Sequence, residues 1–177
     1  MRELSEALGA LLTDPGLREL FARSPEAAAD RVAVAERDRH AFVTLPLAHV
    51  ARQADGLIEK RLHEGVELFR RTAALHGERT APLFRAYAAS AWPHGARRRW
   101  QDIAGFFAFL EARGERVDPA EAHRARFHAG ERRLSIHGVR RYPARGALRP
   151  ALQILWRRGG RVREIALQID AFPARER

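Results

Sequence analysis

The stretch from Leu148 to Ile169, LRPALQILWRRGGRVREIALQI, decides the fold class. Leu148, Leu152, Ile154 and Trp156 fall largely on alternate positions before Gly159 and Gly160, and Ile165, Leu167 and Ile169 alternate after them. A period of two puts successive side chains on opposite faces of a strand, and a double glycine supplies the positive φ that a two-residue hairpin turn needs. The segment therefore reads as two antiparallel strands, 148–156 and 162–169. Leu134 and Ile136 show the same alternation and add a third strand over 133–140. A lone hairpin is marginal in water, so one face of the three strands must be covered, and Leu134, Ile136, Leu148, Leu152, Ile154, Ile165 and Leu167 are expected to hold that scaffold.

Upstream the period changes to that of a helix. Leu4, Leu8, Leu11 and Leu12 form an apolar edge, and Asp14 before Pro15 then reads as an N-cap followed by a first-turn proline. Ser24 before Pro25 and Asp118 before Pro119 repeat the device. Short helices of this kind do not hold themselves together, so they need a longer one to pack on. Leu47, Val50, Ala54, Leu57, Ile58, Leu62, Val66 and Phe69 form a sustained stripe after Pro46 that suits this spine, with Leu57, Leu62, Val66 and Phe69 largely buried. Leu75 to Gly77 reads as its exit, 80–89 as a further helix and 100–112 as another, closed by Gly114. The expected class is α+β: a predominantly helical domain over 1–117, then a short helix and a small antiparallel β-sheet over 118–177.

One joint between helices stands out, LFRAYAASAWPHGARRRWQDIAGFFAFL at 83–110. Trp92 and Pro93 interrupt the helical period, and Arg97, Arg98 and Arg99 precede Trp100 before Ile103, Phe106, Phe107 and Leu110 resume it. Aromatic area gives affinity once desolvated and arginines steer an acidic surface, so Trp92, Pro93, Arg97, Arg98, Arg99 and Trp100 are candidates for partner docking. The same pattern also suits a helix pair with buried aromatics and solvated arginines. Arg61 on the spine can reach inward to a helix end or to a carboxylate such as Asp102; an ion pair with Glu64 or plain exposure are the alternatives. Leu62 and Phe69 are structural candidates.

The net charge of +10 is unevenly placed. Residues 1–45 carry 6 basic and 8 acidic groups, 46–119 carry 12 and 9, and 120–177 carry 14 and 5. The excess therefore lies at the C-terminal end, where an acidic peptide, an acidic protein surface or a nucleic acid is attracted. An extended peptide can add a strand to a free sheet edge while Arg149, Arg157, Arg158, Arg161 and Arg163 bind its acidic side chains. Nearly all the basic residues are arginine, with Lys60 the one lysine, which fits a bias in coding composition as well as polyanion binding.

Chemistry of its own is not written in the chain. Without cysteine there is neither a disulfide framework nor a thiolate nucleophile or ligand. His40, His49, His63, His76, His94, His123, His128 and His137 are dispersed with no paired-ligand spacing, so no metal or catalytic residues are expected. Ser24, Ser90 and Ser135 lack a nucleophile-elbow context, and Gly159 and Gly160 lack the remaining glycines of a phosphate or dinucleotide loop. There is no apolar run of about 18 residues and no basic, apolar start of a secretory signal, so residence in the cytoplasm without membrane contact is expected.

The segments LIEKR at 57–61, LFRAY at 83–87, Trp92 with Pro93, and DIAGFFAFL at 102–110 resemble the helical region of partner subunits of multinuclear non-haem iron-dependent oxidases in ribosomal-peptide natural product biosynthesis, including the methanobactin-pathway partners. The basic strands that follow resemble the small sheet such partners carry. The resemblance implies an accessory subunit without a cofactor of its own, binding an oxidase that holds the iron and helping to receive the leader of a cysteine-containing precursor peptide. The chain departs from the family in its basic AWPHGARRRW connection, where Trp100 stands in place of a histidine. Nucleic-acid or regulatory binding is the alternative, with Arg97, Arg98, Arg99 and the C-terminal arginines on phosphates and Trp92, Tyr142 or Trp156 stacked on bases.

Overall fold

The computed structural model describes residues 1–144 and 147–169. Its elements in order are α1 (Leu4–Thr13), α2 (Pro15–Arg23), α3 (Pro25–Val32), α4 (Glu36–Val43), α5 (Leu47–Val66), α6 (Arg70–His76), a 3₁₀ turn (Gly77–Arg79), α7 (Thr80–Ala88), α8 (Arg98–Ala112), α9 (Pro119–Ala129), β1 (Leu134–Ala144), β2 (Ala147–Arg158) and β3 (Arg161–Gln168). A mostly helical N-terminal region is thus followed by a small antiparallel sheet of order β1-β2-β3. Contacts gather into two compact units, Met1–Glu64 with Ala81–Trp92, and Gly65–Thr80 with the chain from Pro93 onward. The expected boundary between 117 and 118 differs from this division, which groups α6, α8 and α9 with the strands.

In the first unit the start signals act as the sequence suggests. The Asp14 carboxylate accepts from the Leu17 amide at 3.0 Å and the Ser24 hydroxyl from the Ala27 amide at 3.3 Å, each with proline at the first helical position. Leu11, Leu17, Phe21, Phe42 and Val50 fill the core between these short helices, with Phe21 and Phe42 edge to face at 5.5 Å. A left-handed Ala33 (φ 53°) ends α3 and leads into the short bridge between Arg2 and Val34.

The spine helix is shorter than its stripe. α5 ends at Val66, with the Leu68 and Phe69 amides bonded to the carbonyls three residues back at 2.8 and 3.2 Å, the tightened last turn common at helix ends. Phe69 lies beyond the helix in the second unit, fully buried, with its ring 5.4 Å from that of Phe106 and 6.1 Å from that of Phe107. Gly65 makes room for this return, since a Cβ there would stand 3.1 Å from the ring. Of the stripe residues expected to be largely buried, Phe69 is fully buried and Leu57, Leu62 and Val66 are half-buried, while Val50 and Ala54 on the same helix are buried.

In the second unit α8 closes with both backbone bonds of a Schellman motif. The Glu115 amide donates to the Leu110 carbonyl at 2.9 Å and the Gly114 amide to that of Glu111 at 3.0 Å, with Gly114 at φ 70°. The hairpin turns through Gly159 (φ 56°) and Gly160 (φ 74°), between the opposed Arg158 and Arg161. β1 runs past its expected end through a bulge: Val139 pairs with Ala151 and Tyr142 with Arg149, so Arg140 and Arg141 together oppose Pro150.

The alternation forecasts the strands and assigns the wrong face to the core. Val139, Ala151, Gln153 and Leu155 are buried, whereas Leu134, Ile136, Leu148, Ile165 and Leu167 are exposed and Leu152 and Ile154 half-buried. Register places Leu134, Trp156 and Arg163 in one rung of the outward face, Ile136, Ile154 and Ile165 in the next, and Leu152 and Leu167 in a third.

Candidate functional site

The second unit is tied together by carboxylates at the start of α9. Asp118 caps its own helix, accepting from the Glu121 amide at 3.0 Å, and also receives Arg71 through Nε at 2.9 Å and Nη2 at 2.7 Å. Glu121, one turn on, is buried and reaches out of its helix. Its oxygens accept from the Arg71 and Thr72 amides and the Thr72 hydroxyl, each at 2.9 Å. Those amides are orphan donors in the first turn of α6, whose own N-cap, Phe69, offers no side chain. One carboxylate from a distant segment thus caps α6.

The inward face of the sheet meets α9 through a polar network. Gln153 is fully buried on β2, and its amide nitrogen donates to the Glu164 carboxylate at 2.7 Å and the Ala120 carbonyl at 3.2 Å. Its oxygen therefore faces His123 Nδ1 at 2.9 Å, so Nδ1 carries the proton and Nε2 accepts from the Ser135 hydroxyl at 2.8 Å. Burial pushes His123 below the ordinary imidazole value, against the hydrogen bond to Gln153 that favours the charged form. Burial alone would raise the Glu164 carboxyl. The hydrogen bonds from Arg124, at 2.6 and 2.7 Å, and from Gln153 hold it below the usual carboxylate value instead. Ser135 and His123 share the order of a nucleophile and its base, but a neutral amide stands where a carboxylate would stabilise an imidazolium. The network fixes the sheet on its helix.

Beside it, still within the second unit, opens a cleft of about 940 Å³ between α6, the 116–119 segment and β1. Leu75, Val117, Pro119 and Leu148 line it with apolar surface. Its charge is cationic: Arg71 is neutralised by Asp118, while the guanidinium groups of Arg116, Arg140 and Arg141 have no hydrogen-bond or ion-pair partner among the described residues. Arg140 and Arg141 are the bulge residues of β1, and a bulge aims two successive side chains away from the ladder. Gly138 lines the same cleft and leaves the strand backbone bare, at the edge of the sheet that no described strand covers. The cleft therefore offers main-chain groups, an apolar lining and three guanidinium groups uncompensated among the described residues to an extended anionic chain.

The residues singled out from sequence have varied surroundings. In the first unit Arg61 donates to the Ala91 carbonyl at 3.0 Å, with its guanidinium 4.6 Å from the Trp92 ring centre and 5.7 Å from that of Phe84. In the second unit Trp100 stacks on His128 at 3.9 Å, Arg97 donates to the Gly130 carbonyl at 2.8 Å, and Arg98 and Arg99 are exposed on the first turn of α8. Pro93 is half-buried and Asp102 buried. Of the sheet arginines, Arg157 turns inward and donates to the Phe127 and Gly130 carbonyls at 3.3 and 3.1 Å, closing the end of α9. Arg149, Arg158, Arg161 and Arg163 are exposed. The cleft arginines escape a reading by period alone, because the strand was expected to end at 140; the Arg140, Arg141 pair that breaks the alternation after Val139 is the one sequence signal of the bulge.

No family model, curated protein or solved structure matches the chain. Among the described residues no group of three or more His, Asp or Glu side chains gathers to hold a metal ion, and no helix is long and apolar enough to cross a membrane.

Proposed function

We propose that this chain is a non-catalytic recognition subunit that takes an extended acidic segment of a peptide into the cationic cleft along β1. The observation that carries the reading is the convergence of Arg116, Arg140 and Arg141, whose guanidinium groups have no partner among the described residues, on a cleft that also exposes the bare edge at Gly138. Main-chain bonding gives such a site affinity, and the guanidinium groups select acidic side chains. The resemblance of the helical segments to oxidase partner subunits extends the proposal: the peptide is the leader of a cysteine-containing precursor, and the iron resides in an oxidase to which this chain brings it.

Fluorescence anisotropy with a labelled acidic peptide in extended form and its Asn/Gln counterpart tests the cleft. Arg140→Glu combined with Arg141→Glu should weaken the acidic peptide by about ten- to a hundredfold, with newly protected β1 amides in the parent complex. Equal binding of both peptides, or tighter binding of a single-stranded nucleic acid at the same arginines, would refute it. Co-expression with a genomically adjacent iron-dependent oxidase tests the extension, the expected product being an iron-containing heterocomplex from which the isolated chain emerges metal-free.

A further inference from the structure

α9 covers the face of the sheet that carries Gln153 and leaves the apolar face open. Leu134, Ile136, Ile165 and Leu167 on the two outer strands retain 58, 59, 44 and 46 % of their exposure, flanking half-buried Leu152, Ile154 and Trp156 on the central strand. A continuous apolar surface across three strands, with Ile154 in its middle rung and Trp156 in the rung nearest the hairpin turn, has the make-up of a protein interface core. Its border at the hairpin end is basic. Arg163 stands in the rung of Trp156 and Arg161 closes the hairpin beside it. Glu164, the only acidic residue between 132 and 168, pairs with Arg124 on the opposite face.

We infer that this outward face docks a second protein, different from this chain, that presents an apolar strip bordered by carboxylates. Charge decides the occupant. A second copy would set guanidinium groups against guanidinium groups around the buried centre, a like-charge arrangement that opposes association. An anionic bilayer would attract the same arginines, but reaching Ile136 and Ile165, which lie on opposite edge strands, requires submerging the Arg158 and Arg161 turn with them. A protein with an acidic rim satisfies both the apolar centre and the cationic border. The basic border lies at the Arg158 and Arg161 turn and the cleft arginines on the bulge of β1, at opposite ends of the sheet, so different substitutions test the two proposals.

The test uses the full chain with isotope-labelled isoleucine δ1 methyl groups and, as probe, a synthetic hairpin peptide with leucines on one face and glutamates along its border. Saturable shifts are expected at Ile136, Ile154 and Ile165 and none at the fully buried Ile103. Replacing the probe's glutamates by glutamine, or making Arg161→Glu with Arg163→Glu in the protein, should weaken the binding read at these methyl groups by about tenfold. Methyl shifts that track protein concentration alone would assign the face to a second copy. Shifts seen only with phosphatidylglycerol vesicles would assign it to a bilayer, and equal affinity for the glutamine probe or no shift at all would remove the acidic partner; each of these overturns the inference.

Discussion

Glu121→Gln is the most informative single substitution because it changes charge and one atom while keeping shape. The parent carboxylate only accepts, and every donor it meets is fixed: two backbone amides of α6 and the Thr72 hydroxyl, whose oxygen already receives the Asp118 amide at 3.1 Å. A glutamine must turn its NH₂ toward either the Arg71 or the Thr72 amide, so one buried donor faces another. That unsatisfied amide costs about 1–3 kcal/mol, and the two remaining bonds drop from charge-assisted to neutral strength, about 1 kcal/mol each. Relief from burying a charge offsets part of this, leaving a loss of about 2–4 kcal/mol. Urea unfolding reads the total. Native-state hydrogen exchange reads the place, with Arg71 and Thr72 amides exchanging roughly thirty- to a thousandfold faster. A change in stability below about 0.5 kcal/mol, or amides as protected as in the parent, would refute the idea that Glu121 caps α6.

Phe69→Ala should cost about 3–5 kcal/mol by emptying the space against Phe106 and Phe107, measured by urea denaturation. Arg157→Ala should lose about 1–2 kcal/mol with its two bonds at the end of α9, whereas Arg161→Ala on the surface should stay within about 0.5 kcal/mol; equal effects would mean Arg157 is not structural. The urea midpoint should fall monotonically as pH drops from neutrality. His123 and His128 are held below the ordinary imidazole value, His128 by burial and then by the charges of Arg157 and Arg124, so the unfolded chain binds their protons first and their contribution, full above about pH 6.5, declines below it. Glu164, held below the ordinary carboxylate value, adds a contribution present above about pH 4.5 and lost as pH falls through its folded value. A midpoint that is flat from pH 7.5 to 5 would contradict the burial of both histidines.

The cationic cleft shows what kind of feature escapes a linear reading. Its apolar lining comes from α6, the 117–119 segment and β2, and its arginines from a bulge and a loop, so no window of sequence contains it. The partner-docking candidates were legible as residue types, but their surroundings were not: the stacking of Trp100 on His128 joins positions 28 residues apart by number, and the Arg61 contact with Trp92 joins positions 31 apart. The turn at Gly159 and Gly160, the Asp14, Ser24 and Asp118 caps and the glycine closure at Gly114 were legible, because each depends on neighbours within a few residues.

By itself the sequence determined the class, helices and then a three-stranded antiparallel sheet, since side-chain period and glycine conformations are local properties of the chain. It also divided the strand residues into two alternating sets. Only the tertiary structure decided which set is buried. A period of two is symmetric between faces, and hydrophobicity alone favours the Leu and Ile set. The Gln153 set lies inside because Glu164 and the Ala120 carbonyl take both protons of its amide while His123 supplies the third bond, so a buried polar side chain costs little once these three segments meet around it.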